Sequence, residues 1–207
     1  MTDAPGVVFI VDDDAGVRNA MQRLLKSVGL NTEVFAAPQE FLRRKRPVGV
    51  SCLIVDVRLP GISGLEVQRK LIEAGVHIPI IFITAYADVP MTVKAMKLGA
   101  VEFLTKPVRD QELLDAIQQA LERDRMARLH QNEIAELQEH FRGLTARERQ
   151  VMALVISGMP TKQIASALGT SEVTVKVQRT QMMHKMQADS LVELGRMAEK
   201  LKIPTKE

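Results

Sequence analysis

Four separated positions in this chain carry side chains suited to phosphate and metal chemistry. Asp12-Asp13-Asp14 follow the apolar run Val7-Val8-Phe9-Ile10-Val11, and Asp56 follows Cys52-Leu53-Ile54-Val55. Thr84 ends the run Ile78-Pro79-Ile80-Ile81-Phe82-Ile83, and Lys106 follows Val101-Glu102-Phe103-Leu104-Thr105. Carboxylates at the ends of buried parallel strands would converge on one sheet edge and repel one another unless a cation joined them. Hard oxygen ligands suit Mg²⁺ (or another divalent cation such as Mn²⁺), which takes one or two carboxylates together with waters and phosphate oxygens. Asp13 and Asp56 are the candidate direct metal ligands, with Asp12 nearby or acting through water and the Arg58 backbone carbonyl as a further oxygen. Asp56 is also the candidate nucleophile, because carboxylates form acyl-phosphate intermediates. Lys106 would meet a phosphoryl oxygen as a point charge, and Thr84 would hydrogen-bond the attached group. The plainer role for an aspartate here is to cap the following helix, and one of the three suits it.

The elements that must position these residues alternate along the first half. Runs rich in Val and Ile occupy 7–11, 51–55, 78–83 and 100–104, with a weaker run around Thr32-Glu33-Val34-Phe35. Between them, Val17, Met21, Leu24, Leu25 and Val28 recur at helical spacing up to Gly29. Leu65, Val67, Leu71 and Ile72 mark a second helix, and Val93, Met96 and Ala100 a third behind Pro90. Strands that are apolar throughout predict a parallel sheet covered by helices on both faces. Ligands of such sheets bind beyond the carboxyl ends of the strands. Lys106-Pro107 is a candidate cis bond, since X–Pro bonds adopt that form at modest cost.

With those residues in place, the first 125 residues resemble two-component receiver domains. The resemblance rests on Phe9-Ile10-Val11-Asp12-Asp13-Asp14, Leu53-Ile54-Val55-Asp56-Val57-Arg58-Leu59-Pro60-Gly61-Ile62-Ser63-Gly64, Ile83-Thr84-Ala85 and Phe103-Leu104-Thr105-Lys106-Pro107, in the family's order and spacing. It implies an α/β flavodoxin-like (CheY-like) fold with strand order 2-1-3-4-5. It also implies that Asp56 accepts phosphate from a sensor histidine kinase, with Mg²⁺ in the acidic pocket. Asp12 and Asp13 match the family's acidic pair, while Asp14 reads as the neighbour of the helix. Thr84 is similar to the switch hydroxyl and Phe103 to the switch aromatic, although a plain core aromatic would read the same way. Arg58 and Tyr86 resemble positions that set how fast water reaches the acyl phosphate. Asp88-Val89-Pro90-Met91-Thr92-Val93-Lys94-Ala95-Met96-Lys97 is most similar to FixJ-type regulators.

Residues 110–143 read as one or two helices, whose apolar phase slips between Leu129 and Ile134; residues 126–143 are expected to form a linker helix. From Leu144 onward a helical module is expected. Thr145 with Glu148 three residues later forms a capping box, Pro160-Thr161 opens a short helix, and Gly169-Thr170-Ser171 turns into a third. Two short helices around a Gly-containing turn fit a helix-turn-helix, and periodicity alone fits a small bundle without DNA equally well. Leu144-Thr145-Ala146-Arg147-Glu148, Lys162-Gln163-Ile164-Ala165 and Thr174-Val175-Lys176 then resemble the LuxR/NarL-type output domain over 144–207. That resemblance implies base reading by Lys176, Val177 and Thr180, and phosphate contacts from Lys162, Thr174, Arg179 and Lys185. Gln178 stands where a His is usual. The last helix, with Leu191, Val192, Leu194, Met197 and Leu201, resembles a dimerising helix, and packing within the module explains it equally well.

Charge and composition narrow the function classes. Residues 1–125 carry 16 Lys+Arg and 16 Asp+Glu, whereas residues 144–207 carry 10 and 6, a balance of +4. The one cysteine, Cys52, lies in an apolar run and can form no internal disulfide. No apolar stretch approaches the roughly 20 residues needed to span a bilayer, and the N-terminal residues lack a signal-peptide pattern, so a cytoplasmic protein without a membrane partner is expected. The expected function is a response regulator. Phosphorylation at Asp56 would drive homodimerisation through the face built from residues 88–120. The dimer would bind an inverted-repeat double-stranded DNA site and activate transcription with RNA polymerase. Two alternatives stay open. One is an aspartyl-phosphate phosphatase or phosphotransferase, although Arg58 stands where such phosphatases commonly carry a second Asp. The other is a protein- or RNA-binding output. The four histidines are dispersed and lack metal-ligand spacing.

Overall fold

Side chains alternate across a strand, so each apolar run feeds two opposite faces. The computed structural model of the chain describes residues 6–44 and 49–203; the outermost residues of both expected domains, 1–5 and 204–207, lie outside the described residues. Two compact units divide between Arg128 and Leu129. The first holds β1 (Val7–Val11), α1 (Ala15–Ser27), β2 (Asn31–Phe35), α2 (Pro38–Arg43), β3 (Ser51–Asp56), α3 (Gly64–Glu73), β4 (Ile80–Thr84), α4 (Val89–Lys97), β5 (Glu102–Thr105) and the start of α5 (Asp110–Arg142). Its strands form one parallel sheet in the order β2-β1-β3-β4-β5.

The alternation builds two cores. Val8, Ile10, Cys52, Ile54, Ile81 and Ile83 face α1 and α5, where Leu25 and Ile117 are fully buried. Phe9, Val11, Leu53, Val55 and Phe82 face the other way, against Phe41 of α2, Val67 and Leu71 of α3 and Ala95 of α4. Register aligns the functional ends. Val11 pairs with Val55, Asp56 with Ile83, and Thr84 with Thr105, so Asp12 and Asp56 emerge side by side.

Several apolar positions depart from the sequence pattern. Helix α2 has only six residues and leaves too short a period to detect; Pro38 in its first turn and buried Phe41 are its signals. On α3, Ile72 is 47% exposed while Gln68 is buried and donates from Nε2 to the Ala95 carbonyl at 3.2 Å. On α4, small Ala95 lies against the sheet, leaving Val89, Val93, Met96 and neighbouring Leu98 exposed. Helix α5 is one element through Arg142, so 126–142 form its continuation, with Met126 and Leu129 exposed.

The second unit contains the last turns of α5, α6 (Ala146–Ile156), α7 (Thr161–Ala167), α8 (Glu172–Met186) and α9 (Leu191–Lys200). Its core joins Leu144, Val151, Met152, Ile164, Val175, Met182, Met186 and Leu194. Both halves of the predicted capping box form: Thr145 Oγ1 accepts from the Glu148 N–H, and Glu148 accepts from the Thr145 N–H. Gly169, at φ +59, permits the turn between α7 and α8. Helix α9 divides its apolar residues, with Leu194 buried and Leu191 and Val192 exposed. No helix among the described residues is long and apolar enough to cross a membrane.

Candidate functional site: an acidic pocket and a helix-turn-helix face

The three adjacent aspartates have three different roles. Asp14 is the N-cap of α1, its Oδ1 accepting from the N–H groups of Gly16 and Val17 at 2.6 and 3.2 Å. Asp12 is buried and accepts the Asp14 N–H on Oδ1 at 2.9 Å. Asp13 is exposed. Asp56, 7% exposed, accepts the Arg58 N–H at 2.8 Å. Ligand oxygens of Asp12, Asp13 and Asp56 all lie within 4.8 Å of one another. This oxygen-only set fits a hard divalent cation.

Lys106 bridges the pocket. Its ammonium donates to Asp12 Oδ2 at 2.7 Å and to Asp56 Oδ2 at 2.5 Å. Burial opposes its charge, but the hydrogen bonds and charges of the two carboxylates prevail and hold its pKa above the ordinary lysine value. Even with the Arg18 guanidinium on the Asp12 carbonyl at 2.6 Å, the three carboxylates outnumber the cations that touch them. Thr84 is fully buried beside it, its Oγ1 accepting the Tyr86 N–H at 3.3 Å. The Lys106 N–H donates to the Thr84 carbonyl at 2.8 Å, and Lys106-Pro107 is cis. Phe103 is half-buried with its ring 5.9 Å from that of Phe82. At the mouth, the Arg58 guanidinium lies 4.5 Å over the Tyr86 ring.

Gly64 is a positioning residue whose role the sequence does not reveal. A Cβ there would fall 2.4 Å from the Asp56 carbonyl oxygen. Only glycine lets α3 begin this close to the end of β3, with the Gly64 N–H on the Val57 carbonyl at 3.0 Å.

In the second unit the expected DNA residues separate. Lys162, Thr174, Lys176, Val177 and Thr180 are exposed, and Arg179 is half-buried. The Thr180 hydroxyl donates to the Lys176 carbonyl at 3.1 Å. Lys185 is paired: its ammonium lies 2.7 Å from Oε2 of buried Glu148. That hydrogen bond, against the opposing effect of burial, holds the Glu148 carboxyl below the usual range, with Thr145 assisting. The pair ties the start of α6 to the last turn of α8. Gln178, in place of the usual His, is half-buried, with Oε1 buried and unpartnered among the described residues. Arg147, which the sequence presents only as part of the Leu144–Glu148 motif, donates to the Leu168 carbonyl at 2.5 Å and holds the turn before α8.

Residues 8–118 match the family described as response regulator receiver domain, and residues 142–198 match bacterial regulatory proteins of the luxR family. Nodulation protein W of Bradyrhizobium diazoefficiens is 51% identical over 197 residues, 95% of this chain and 87% of that protein. Response regulator protein TodT of Pseudomonas putida is 46% identical over 202 residues, 98% and 89% of the two chains. The solved structure of response regulator StyR aligns with a TM-score of 0.86 at 47% identity, covering 95% of this chain and 100% of its own. Full-length FixJ from B. japonicum gives 0.57 at 36% identity, over 96% and 98%. The chain belongs to the two-component response regulators that join a receiver domain to a LuxR-type DNA-binding domain. It is a transcriptional regulator of that family and not an enzyme, which removes the phosphatase alternative.

Proposed function

We propose that Asp56 is the phosphoacceptor and that its phosphorylation controls DNA binding. The observation that carries this reading is the Lys106 ammonium bridging Asp12 and Asp56 beside buried Thr84. A sensor histidine kinase is the donor: an Asp56 carboxylate oxygen forms the new P–O bond as the P–N bond to the kinase imidazole breaks. Asp12, Asp13, Asp56 and the Arg58 carbonyl would hold a Mg²⁺ or Mn²⁺, which would supply charge neutralisation for the transfer. Lys106 then exchanges a carboxylate oxygen for a phosphoryl oxygen. Thr84 turns its hydroxyl from the Tyr86 N–H towards the phosphoryl group, and Phe103 moves into the space behind it.

This repacking reaches α4, whose outer face already presents Val89 at 75% exposure together with Val93 and Met96. Two receivers pair there into a homodimer, and two-fold symmetry matches the paired modules to an inverted-repeat site on double-stranded DNA. Lys176, Val177 and Thr180 read bases, while Lys162, Thr174 and Arg179 contact phosphates. Lys185 joins them with the ammonium donors that its bond to Glu148 leaves over. The protein works in the cytoplasm and activates transcription with RNA polymerase. With the full chain and a small-molecule phosphodonor, Asp56→Asn is expected to abolish donor-dependent dimerisation and the gain in DNA affinity. Retention of either in that variant would overturn the reading.

A further inference from the structure

The residues of α8 sort by helical phase. Val175, Met182 and Met186 are fully buried and define its inward side. At about 100° per residue, the opposite line passes through Val173, Val177, Thr180 and His184, all exposed. Lys176 stands on one shoulder of that line, and Thr174 and Gln181 on the other. Val173 is 71% exposed, more than Val177 at 51%. Its methyl groups serve neither the core of the unit nor the cap, which Ser171 supplies to the Thr174 N–H at 3.1 Å. Glu172, the acidic residue of the first turn, points about 100° away from it.

An exposed valine in the first turn of this helix has a natural counterpart. In a helix-turn-helix the N-terminal residues of the second helix meet base edges in the major groove. The apolar feature displayed there is the C5-methyl group of thymine. We propose that Val173 is a sequence-reading residue, packing its methyls on a thymine methyl one helical turn ahead of Val177. This rests on the reading of α8 as the DNA-recognition helix. Four residues advance a helix by about 6 Å, and bases along a strand rise by about 3.4 Å. The two valines therefore select thymine methyls about two base-pair steps apart.

The test uses the full chain with phosphodonor and the duplex it prefers from a random-sequence pool. Each thymine of that duplex is replaced in turn by deoxyuridine, which lacks only the methyl. Wild type is expected to lose about fourfold in affinity at each of two positions per half-site, the worth of one buried methyl group. Val173→Ala should make one of these positions insensitive and keep the other, and Val177→Ala should do the reverse. The surviving position shows that each variant still folds and binds. A Val173→Ala protein with the wild-type pattern of uracil sensitivity would overturn the proposal, including if Val173 instead contacts a protein. A pool that yields no preferred duplex would overturn the recognition-helix reading itself.

Discussion

The two units each contain a lysine against a buried carboxylate, and the two pairs differ in what they leave unsatisfied. In the helix-turn-helix module, Lys185 meets the single carboxylate of Glu148, which also accepts the Thr145 N–H. In the receiver, Lys106 meets two carboxylates, with Asp13 close by. The first pair is balanced and closes a fold. The second leaves excess negative charge on a sheet edge, which a divalent cation and a phosphoryl group can complete. The difference teaches that residual charge, rather than the presence of a buried ion pair, separates a working pocket from a strut.

The comparison breaks most sharply at Lys106. Lys106→Met should lower phosphodonor-dependent DNA binding by about 10- to 100-fold, the value of a hydrogen bond to a charged group, as read from binding isotherms. Next is Asp13→Asn, which removes one exposed ligand. Divalent-cation affinity should fall about tenfold, while stability without cation rises by about 0.5–1 kcal/mol through relief of like-charge repulsion; calorimetry reads both. Glu148→Gln should cost the DNA-binding module about 1–2 kcal/mol in denaturant unfolding and leave phosphorylation of Asp56 unchanged.

The two shifted groups act at opposite ends of the pH scale. The Glu148 carboxyl is depressed in the fold. Its stabilisation is present above the unfolded value of about 4.3 and is lost as pH falls through the lower native value. The Lys106 ammonium is raised. Its contribution is full below about 10.4 and disappears as pH rises through the higher native value. Separate probes of each unit during acid and alkaline titration check the order. The smallest effect is expected at the mouth of the pocket. Tyr86→Ala removes an exposed cation–π contact worth about 0.5–1 kcal/mol, so the unfolding midpoint barely moves. The acyl-phosphate half-life should change, because Arg58 is released.

Much of the receiver was legible because its signals are local. A strand apolar throughout belongs inside a parallel sheet, and the sheet sends Asp12, Asp56, Thr84 and Lys106 to one edge whatever the helices do. Side-chain employment was less legible. Ile72 and Gln68 both lie on α3, and hydropathy favours burying Ile72. The fold buries Gln68 instead, because its amide reaches the Ala95 carbonyl of a helix 27 residues away in sequence. Val93 and Met96 have the spacing of a core face, but the residue of α4 that is buried is Ala95, with Met91 partly buried beside it. Lys185 carries the charge expected of a phosphate contact, yet its partner Glu148 lies 37 residues earlier.

By itself, then, the sequence determined the architecture and the membership of the acidic pocket, because periodicity and strand-end chemistry are written within a few neighbouring residues. Tertiary structure alone decided that Asp12 is buried against Lys106 while Asp13 is exposed, that Gly64 must press on the Asp56 carbonyl, and that Lys185 meets Glu148. It also turned Val173 outward on α8. Those outcomes depend on which distant atoms arrive within about 3–4 Å, the range over which hydrogen bonds and packing act, and no local pattern carries that information.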